Sequence, residues 1–127
     1  MEILGTGRHR VVGIIGLSVL GILVLSVILL PNPHTSITWA KEHALQDDLL
    51  TMRSLIQNYS SEQRKRPESL LALVAAGYLK HIPKDPITGR DDTWIIERSS
   101  DVAMPGIVNV RSGASGKSEN GSRYSDW

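Results

Sequence analysis

The sequence predicts an α+β protein in which an N-terminal transmembrane helix continues into a long amphipathic helix, and this second helix packs on a small antiparallel sheet. Three observations support this class. Residues 11–30 form an uninterrupted apolar run, residues 38–64 carry apolar side chains at helical spacing, and two short segments near the C-terminus are rich in β-branched residues. The chain therefore divides into a polar segment at 1–10, a transmembrane helix at 11–30 and one small domain at 31–127.

The run from Val11 to Leu30 contains no charged side chain, no amide side chain and no proline. A helix rises about 1.5 Å per residue, so roughly 20 apolar residues span the ~30 Å hydrocarbon core of a bilayer. Its hydroxyl groups, on Ser18 and Ser26, can bond to the carbonyl one turn earlier. We therefore expect a membrane helix with a surface for the bilayer and for assembly. The residues assigned to this surface are Val11, Gly13, Gly16, Gly21 and Leu30.

Two alternatives to a membrane anchor fit the sequence less well. A buried core helix would need more surrounding chain than this short protein offers. A cleaved signal peptide usually has an apolar region of about 7–15 residues followed by a small-x-small site, and here residues 31–34 read Pro-Asn-Pro-His. We expect an uncleaved single-pass anchor.

Basic residues flank the apolar run on one side only. Arg8 and Arg10 precede it, whereas Lys41 is the first Lys or Arg that follows it. This asymmetry predicts a cytoplasmic N-terminus and a C-terminal domain on the other side of the membrane. Pro31 is expected to kink the helix where it leaves the bilayer, because proline removes a backbone donor and disfavours helical geometry in the residue before it.

The domain at 31–127 is electrically almost neutral, with 12 Lys plus Arg and 12 Asp plus Glu. This balance lacks the basic surface that nucleic-acid binding requires. The chain has neither Cys nor Phe, so disulfides cannot stabilise its small core.

Residues 38–64 predict an amphipathic helix with one apolar stripe. The residues of this core stripe, at spacings of four, three, four and three, are Leu45, Leu49, Met52, Ile56 and Tyr59. We interpret the stripe as the face that packs on the domain core. An alternative is that part of it contacts neighbouring subunits in an assembly.

The rest of the domain predicts short elements. A second helix is expected at 68–76, opened by Pro67 or Glu68 and ended by Gly77 in a left-handed conformation. A turn-rich connection leads to strands at 93–97 and 106–111. The polar segment 112–126 is expected to be a loop or disordered by composition.

Few residues suggest chemistry. His43 and Asp47 stand four apart on one helix face, which is a possible metal spacing, but no third ligand is evident and a solvated face is favoured. Asp91 and Asp92 flank a turn and suit a structural role. No nucleophile motif, phosphate-binding loop or Cys cluster occurs in the sequence. We therefore expect no enzymatic activity and no small-molecule substrate.

Several blocks in a fixed order allow a comparison with a known family. They read AKEHALQDDLLTMR at 40–53, PESL at 67–70, AGYLK at 76–80 and IPKDP at 82–86. Together with the element order, they resemble the type IV pilin-like proteins, most closely the major pseudopilin of type II secretion systems. The match covers about residues 31–94. Pro31 stands where such subunits have a proline that kinks the long first helix.

The resemblance implies a structural role. Such a subunit is anchored in the bacterial inner membrane, holds its C-terminal domain in the periplasm and assembles by helix packing into a short fibre that drives secretion. Its partners would be further copies of the chain or other pseudopilins. The alternative is a membrane-anchored pilin-like module that binds or adapts another protein and does not polymerise.

The N-terminus departs from the family pattern of a leader ending in Gly and a mature start of the type Phe-Thr-Leu-Ile-Glu. With Pro31 aligned, Ile14 takes the place of the glutamate, and no acidic residue lies between Gly5 and Leu30. The family's glutamate is thought to pair with the N-terminal amine of its neighbour. We expect most of the protein to keep Met1 or to begin at Glu2.

The resemblance also implies a calcium site in the C-terminal loop. Ser115 and Asn120 stand where aspartates would be expected, Lys117 adds a positive charge, and Glu119 is the only carboxylate in segment 112–122. Calcium prefers about six to eight hard oxygen ligands and binds more tightly as their charge rises. We expect weak or absent calcium binding and no other cofactor. The tail would instead be held by packing of Tyr124 and Trp127 on the sheet, and a flexible tail is the alternative.

Overall fold

The structure is a computed structural model that describes residues 5–29 and 33–127. They fall into two compact units, one up to Thr35 and one from Ser36 to Trp127. The helices are α1 (Gly5–Leu29), α2 (Pro33–Gln63) and α3 (Leu70–Ala75), and the strands are β1 (Ile95–Arg98) and β2 (Ile107–Arg111). A short 3-10 helix, Tyr124–Asp126, follows. These elements confirm the α+β class with a small antiparallel sheet. The predicted kink at Pro31, and Leu30 beside it, lie outside the described residues.

The core of the second unit is built on α2. All residues of the core stripe are buried, and Leu45 and Met52 are 0% exposed. The stripe packs with buried side chains from α3, the sheet and the tail. These are Leu70, Leu73, Trp94, Ile107, Val110, Ala114 and Tyr124. Helical spacing therefore gives α2 one buried face in the core that it shares with α3, β2 and the tail.

Helix α3 starts later than the helix that the sequence predicts at 68–76. It begins at Leu70, and extended Ser69 caps it by accepting a hydrogen bond on Oγ from the N–H of Ala72 at 3.2 Å. Pro67 is not in the helix, because its carbonyl accepts the N–H of Ile107 at 2.8 Å and so joins the connection to β2.

The end of α3 follows the expectation for Gly77. Its φ of +83° lies in the left-handed region. The N–H of Gly77 bonds to the carbonyl of Val74 at 3.1 Å, and the N–H of Tyr78 bonds to that of Leu73 at 2.9 Å. This pair of bonds forms a Schellman motif and satisfies carbonyls that the helix leaves free.

The sheet pairs β1 and β2 in an antiparallel register, with Ile96 opposite Val110 and Glu97 opposite Asn109. The first strand begins at Ile95, two residues later than the sequence predicts. Thr93 instead belongs to the connection before the strand, where its Oγ1 forms a hydrogen bond of 2.7 Å with Oγ1 of Thr88. A short strand pair of this kind is stable only when packed on another element. Here that element is α2.

Candidate functional site: the apolar helix and the C-terminal clasp

The apolar helix α1 has an uncovered surface. Its large apolar side chains from Val11 to Leu29 are 50–72% exposed. A Cβ placed at Gly13, Gly16 or Gly21 would meet no atom within 4 Å. In the described part of the chain, one helix is long and apolar enough to cross a membrane, and its most apolar window is 0% buried. Soluble monomers rarely expose a contiguous apolar surface of this size, so the exposed surface of α1 supports membrane anchoring.

The hydroxyl groups of α1 do not interrupt this surface. Ser18 Oγ donates to the carbonyl of Ile15 at 2.9 Å, and Ser26 Oγ donates to the carbonyl of Ile22 at 2.7 Å. Both bonds stay within the helix, so the hydroxyl groups are satisfied without water. Of the residues assigned to the membrane and assembly surface, Leu30 lies outside the described residues.

The second feature is a buried carboxylate on α2 that holds the C-terminal tail. Glu42 is only 7% exposed, and its Oε1 accepts two hydrogen bonds. One comes from the Tyr124 hydroxyl at 2.8 Å, and the other comes from the N–H of Glu119 at 2.9 Å. We name Glu42, Glu119 and Tyr124 the C-terminal clasp. Glu42 is separated in sequence from Glu119 by 77 positions and from Tyr124 by 82. The clasp therefore fixes the tail to α2.

The tail is an ordered loop that ends in the short 3-10 helix, and a loop was one of the two forms that its composition predicted. Tyr124 is buried, and its ring meets that of Trp127 edge-on with centroids 5.4 Å apart. Trp127 is half-buried, and its Nε1 donates to Ser122 Oγ at 2.8 Å. The 3-10 helix at Tyr124–Asp126 contacts β2. Tyr124 belongs to the buried core and Trp127 packs against it, so aromatic packing holds the tail in the structure.

Uncharged groups close the loop in which the resemblance implies calcium. Asn120 Oδ1 accepts from Ser118 Oγ at 2.5 Å, and from the N–H and Oγ of Ser122 at 3.0 and 2.7 Å. The Ser118 N–H also bonds to the Ser122 carbonyl at 2.8 Å. Among the described residues, no three His, Cys, Asp or Glu side chains converge on a metal position. The Asn120 oxygen is thus already saturated by protein donors.

Calcium is therefore expected to leave stability unchanged. Thermal melts of fragment 36–127 with millimolar Ca²⁺ and with excess chelator should coincide, because the loop closes through its own hydroxyl and amide groups. A stabilisation of about 2.7 kcal/mol, expected at a hundredfold excess over the dissociation constant, would contradict this.

Alkaline pH is expected to weaken the clasp. Burial raises the pKa of Tyr124 to about 12, and the hydrogen bond to Glu42 and the charges of Glu42 and Glu119 act in the same direction. The folded pKa exceeds the ordinary value of 10.0, so folding favours the neutral phenol. Its stabilisation is complete below pH 10 and is lost as the pH rises towards 12.

Melting temperature should therefore fall more steeply between pH 10 and 12 in the natural chain than in Tyr124→Phe, which keeps the ring but has no proton to lose. Parallel curves for the two proteins would contradict the role of Tyr124 in the clasp.

A second buried acid organises the connection before the sheet. Asp85 is 0% exposed. Its Oδ1 accepts the N–H groups of Ile87 and Thr88 at 2.8 and 3.3 Å, and its Oδ2 accepts the Ser112 hydroxyl at 2.5 Å. Ser112 is also 0% exposed and accepts the N–H of Ala114. The carboxylate thus joins the turn after Pro83 to the start of the tail.

Within the described range 33–127, the residues considered as metal ligands or as turn residues form no side-chain hydrogen bond with Asp85. These residues are His43, Asp47, Asp91 and Asp92. The ring of His43 lies edge-on against Trp39 at 4.1 Å, and Asp47 is exposed. Asp92 forms an exposed two-point ion pair with Arg90 at 2.8 and 2.6 Å, which lowers the pKa of its carboxyl group. Asp91 and Asp92 thus lie at an exposed turn.

Glu42 and Asp85 were not singled out by sequence, although each has a local signal. Glu42 continues the core stripe one turn before Leu45, so a carboxylate occupies a core-facing position. Asp85 precedes Pro86, a pair that favours a turn begun by the side chain of the acid. Comparison of the chain with family models, with curated proteins and with solved structures finds no match.

Proposed function

We propose that the chain is a structural subunit of a type II secretion pseudopilus or a related type IV pilus-like fibre. The observation that carries the proposal is α1, an apolar helix of membrane-spanning length that is uncovered on all sides in the described residues. It precedes a domain whose core is built on the amphipathic helix α2. Such a chain has a surface for lipid or for other helices.

Helix packing is the proposed mode of assembly. Within lipid, helices associate through van der Waals contact, and small residues let backbones approach closely. Gly13, Gly16 and Gly21 leave open space on α1 for such an approach.

The inner membrane is the proposed location, with the N-terminus in the cytoplasm and the domain in the periplasm. Arg8 and Arg10 support this orientation. A protease added to spheroplasts should remove the residues beyond about 35, while an N-terminal tag stays protected. Loss of the N-terminal tag with an intact domain would reverse the orientation.

A non-polymerising binding or adaptor module is the second candidate. The observation that favours it is Ile14, which stands where the resemblance implies a glutamate for pairing between subunits. Without that carboxylate, residues 11–29 of α1 carry no charged side chain with which to fix the register of a neighbouring helix. The two candidates differ in whether copies contact each other through α1.

Cysteine crosslinking in membranes separates the two candidates, because the natural chain has no Cys. Ile14 and Leu23 are exposed, and they lie nine residues apart, about 180° around the helix. A chain with both Ile14→Cys and Leu23→Cys should give a ladder of oligomers on oxidation, since contact between different faces continues from copy to copy.

Ile14→Cys alone and Leu23→Cys alone should give no crosslinked product larger than a dimer, because each copy then has one cysteine. Val102→Cys, in the domain and 93% exposed, is the control for random collisions. Monomers from the double variant, or no more product than the Val102 control gives, would refute fibre assembly and leave the adaptor.

A further inference from the structure

A groove of about 380 Å³ lies between α2 and β2. Two arginines, Arg53 and Arg66, line it together with the uncharged polar side chains of Gln57 and Asn109, and Val108 forms an apolar part of its wall. No acidic residue is among the groove's lining residues in the described chain. The groove is therefore positively charged.

Both guanidinium groups are held in place by neutral oxygens. Arg53 donates from Nε and Nη2 to the carbonyl of Val110, at 3.1 and 2.9 Å. Arg66 donates from Nη1 to Ser99 Oγ at 2.7 Å and to the carbonyl of Met104. A guanidinium carries five N–H donors, so each arginine keeps three for another partner. Fixed arginines lose little side-chain entropy when they bind a carboxylate.

Neither arginine is neutralised within the described residues, where the ion pairs are Arg90 with Asp92 and Arg111 with Glu97. Glu97 lies opposite Asn109 in the sheet, but both of its oxygens are engaged. Oε1 bonds to Arg111 at 2.7 Å, and Oε2 accepts from Asn109 at 2.7 Å. Among the described residues, the two positive charges of the groove thus lack a carboxylate partner.

A complementary surface lies on another side of the same helix. Asp47 and Asp48 are adjacent on α2, and neither forms an ion pair in the described residues. Burial raises the pKa of Asp48, and the charges of Asp47 and Asp85 raise it further. Asp48 lies five residues from Arg53, about 140° around the helix. One copy therefore carries an acidic patch and a basic groove on different faces.

We propose that the groove binds carboxylates from the Asp47–Asp48 surface of a second copy of this chain. The contact joins two different patches, so it repeats from copy to copy, and it builds a fibre when the rotation between copies does not close a ring. Charge-assisted bonds from arginine to carboxylate also fix the register between neighbouring domains. This inference rests on the proposed fibre function, because it supplies a contact between the domains of a fibre.

The test uses the full chain in membranes, with two differently tagged copies expressed together. One copy carries Val108→Cys at the groove and the other carries Ala44→Cys, one turn before Asp48. Both residues are exposed. Oxidation should link the two tags. Gln57→Glu in the first copy should reduce this product about tenfold, because its negative charge repels the incoming carboxylates of Asp47 and Asp48.

Gln57→Lys is the matched control, since it replaces the same exposed side chain and should not reduce the product. Asp47→Lys in the second copy should also reduce the product, and combining it with Gln57→Glu in the first copy should restore it. Equal losses from Gln57→Glu and Gln57→Lys, or no restoration in the combined pair, would overturn the proposal. Absence of the groove product while the α1 ladder persists would overturn this contact alone, whereas absence of both would refute fibre assembly as well.

Discussion

Ile56→Ala is expected to lower the free energy of unfolding of fragment 36–127 by about 2–5 kcal/mol, the usual cost of truncating a buried aliphatic side chain. Ile56 is 3% exposed and belongs to the core stripe of α2, which forms part of the buried core of the domain. For a domain of this size, such a loss lowers the melting temperature by roughly 10 °C or more. Thermal melts followed by circular dichroism measure the effect.

Gln57→Ala is the matched control, because Gln57 is the next residue on α2 and is exposed. It should leave the melting temperature almost unchanged. Similar losses from both substitutions would mean that helicity of α2, rather than burial of one face, determines the stability of the domain.

Asp85→Ala is expected to destabilise the same fragment by about 3 kcal/mol or more. It removes the acceptor for the N–H groups of Ile87 and Thr88 and for the Ser112 hydroxyl. Each buried donor left without a partner costs about 1–3 kcal/mol. Urea unfolding of the variant and of the natural fragment gives the difference directly.

Two controls separate hydrogen bonding from charge in this network. Asp85→Asn keeps an acceptor oxygen with a similar shape and should cost less than Asp85→Ala. Asp92→Ala removes an exposed ion pair and should have little effect, because water screens such pairs. A loss from Asp92→Ala as large as that from Asp85→Ala would show that the buried carboxylate does not organise the connection.

Helical and strand elements could be predicted because their signals are local. The core stripe follows from spacings within one helix, and the two strands follow from runs of β-branched residues. The start of α3 was misplaced by two residues because Pro67, a favourable first helical residue, is used by β2 through its carbonyl. A propensity for one role does not reveal that a distant strand needs the same residue for another.

The membrane-spanning length of α1 and the apolar face of α2 were determined by sequence alone, since both depend only on the type and spacing of neighbouring residues. The ordered tail, the buried Glu42 and Asp85, and the basic groove were decided only by tertiary structure. Glu42 meets Glu119 and Tyr124 across 77 and 82 positions, and Asp85 meets Ser112 across 27. A polar side chain is stable in a core only when the fold brings donors to it, and local sequence does not record which distant donors arrive.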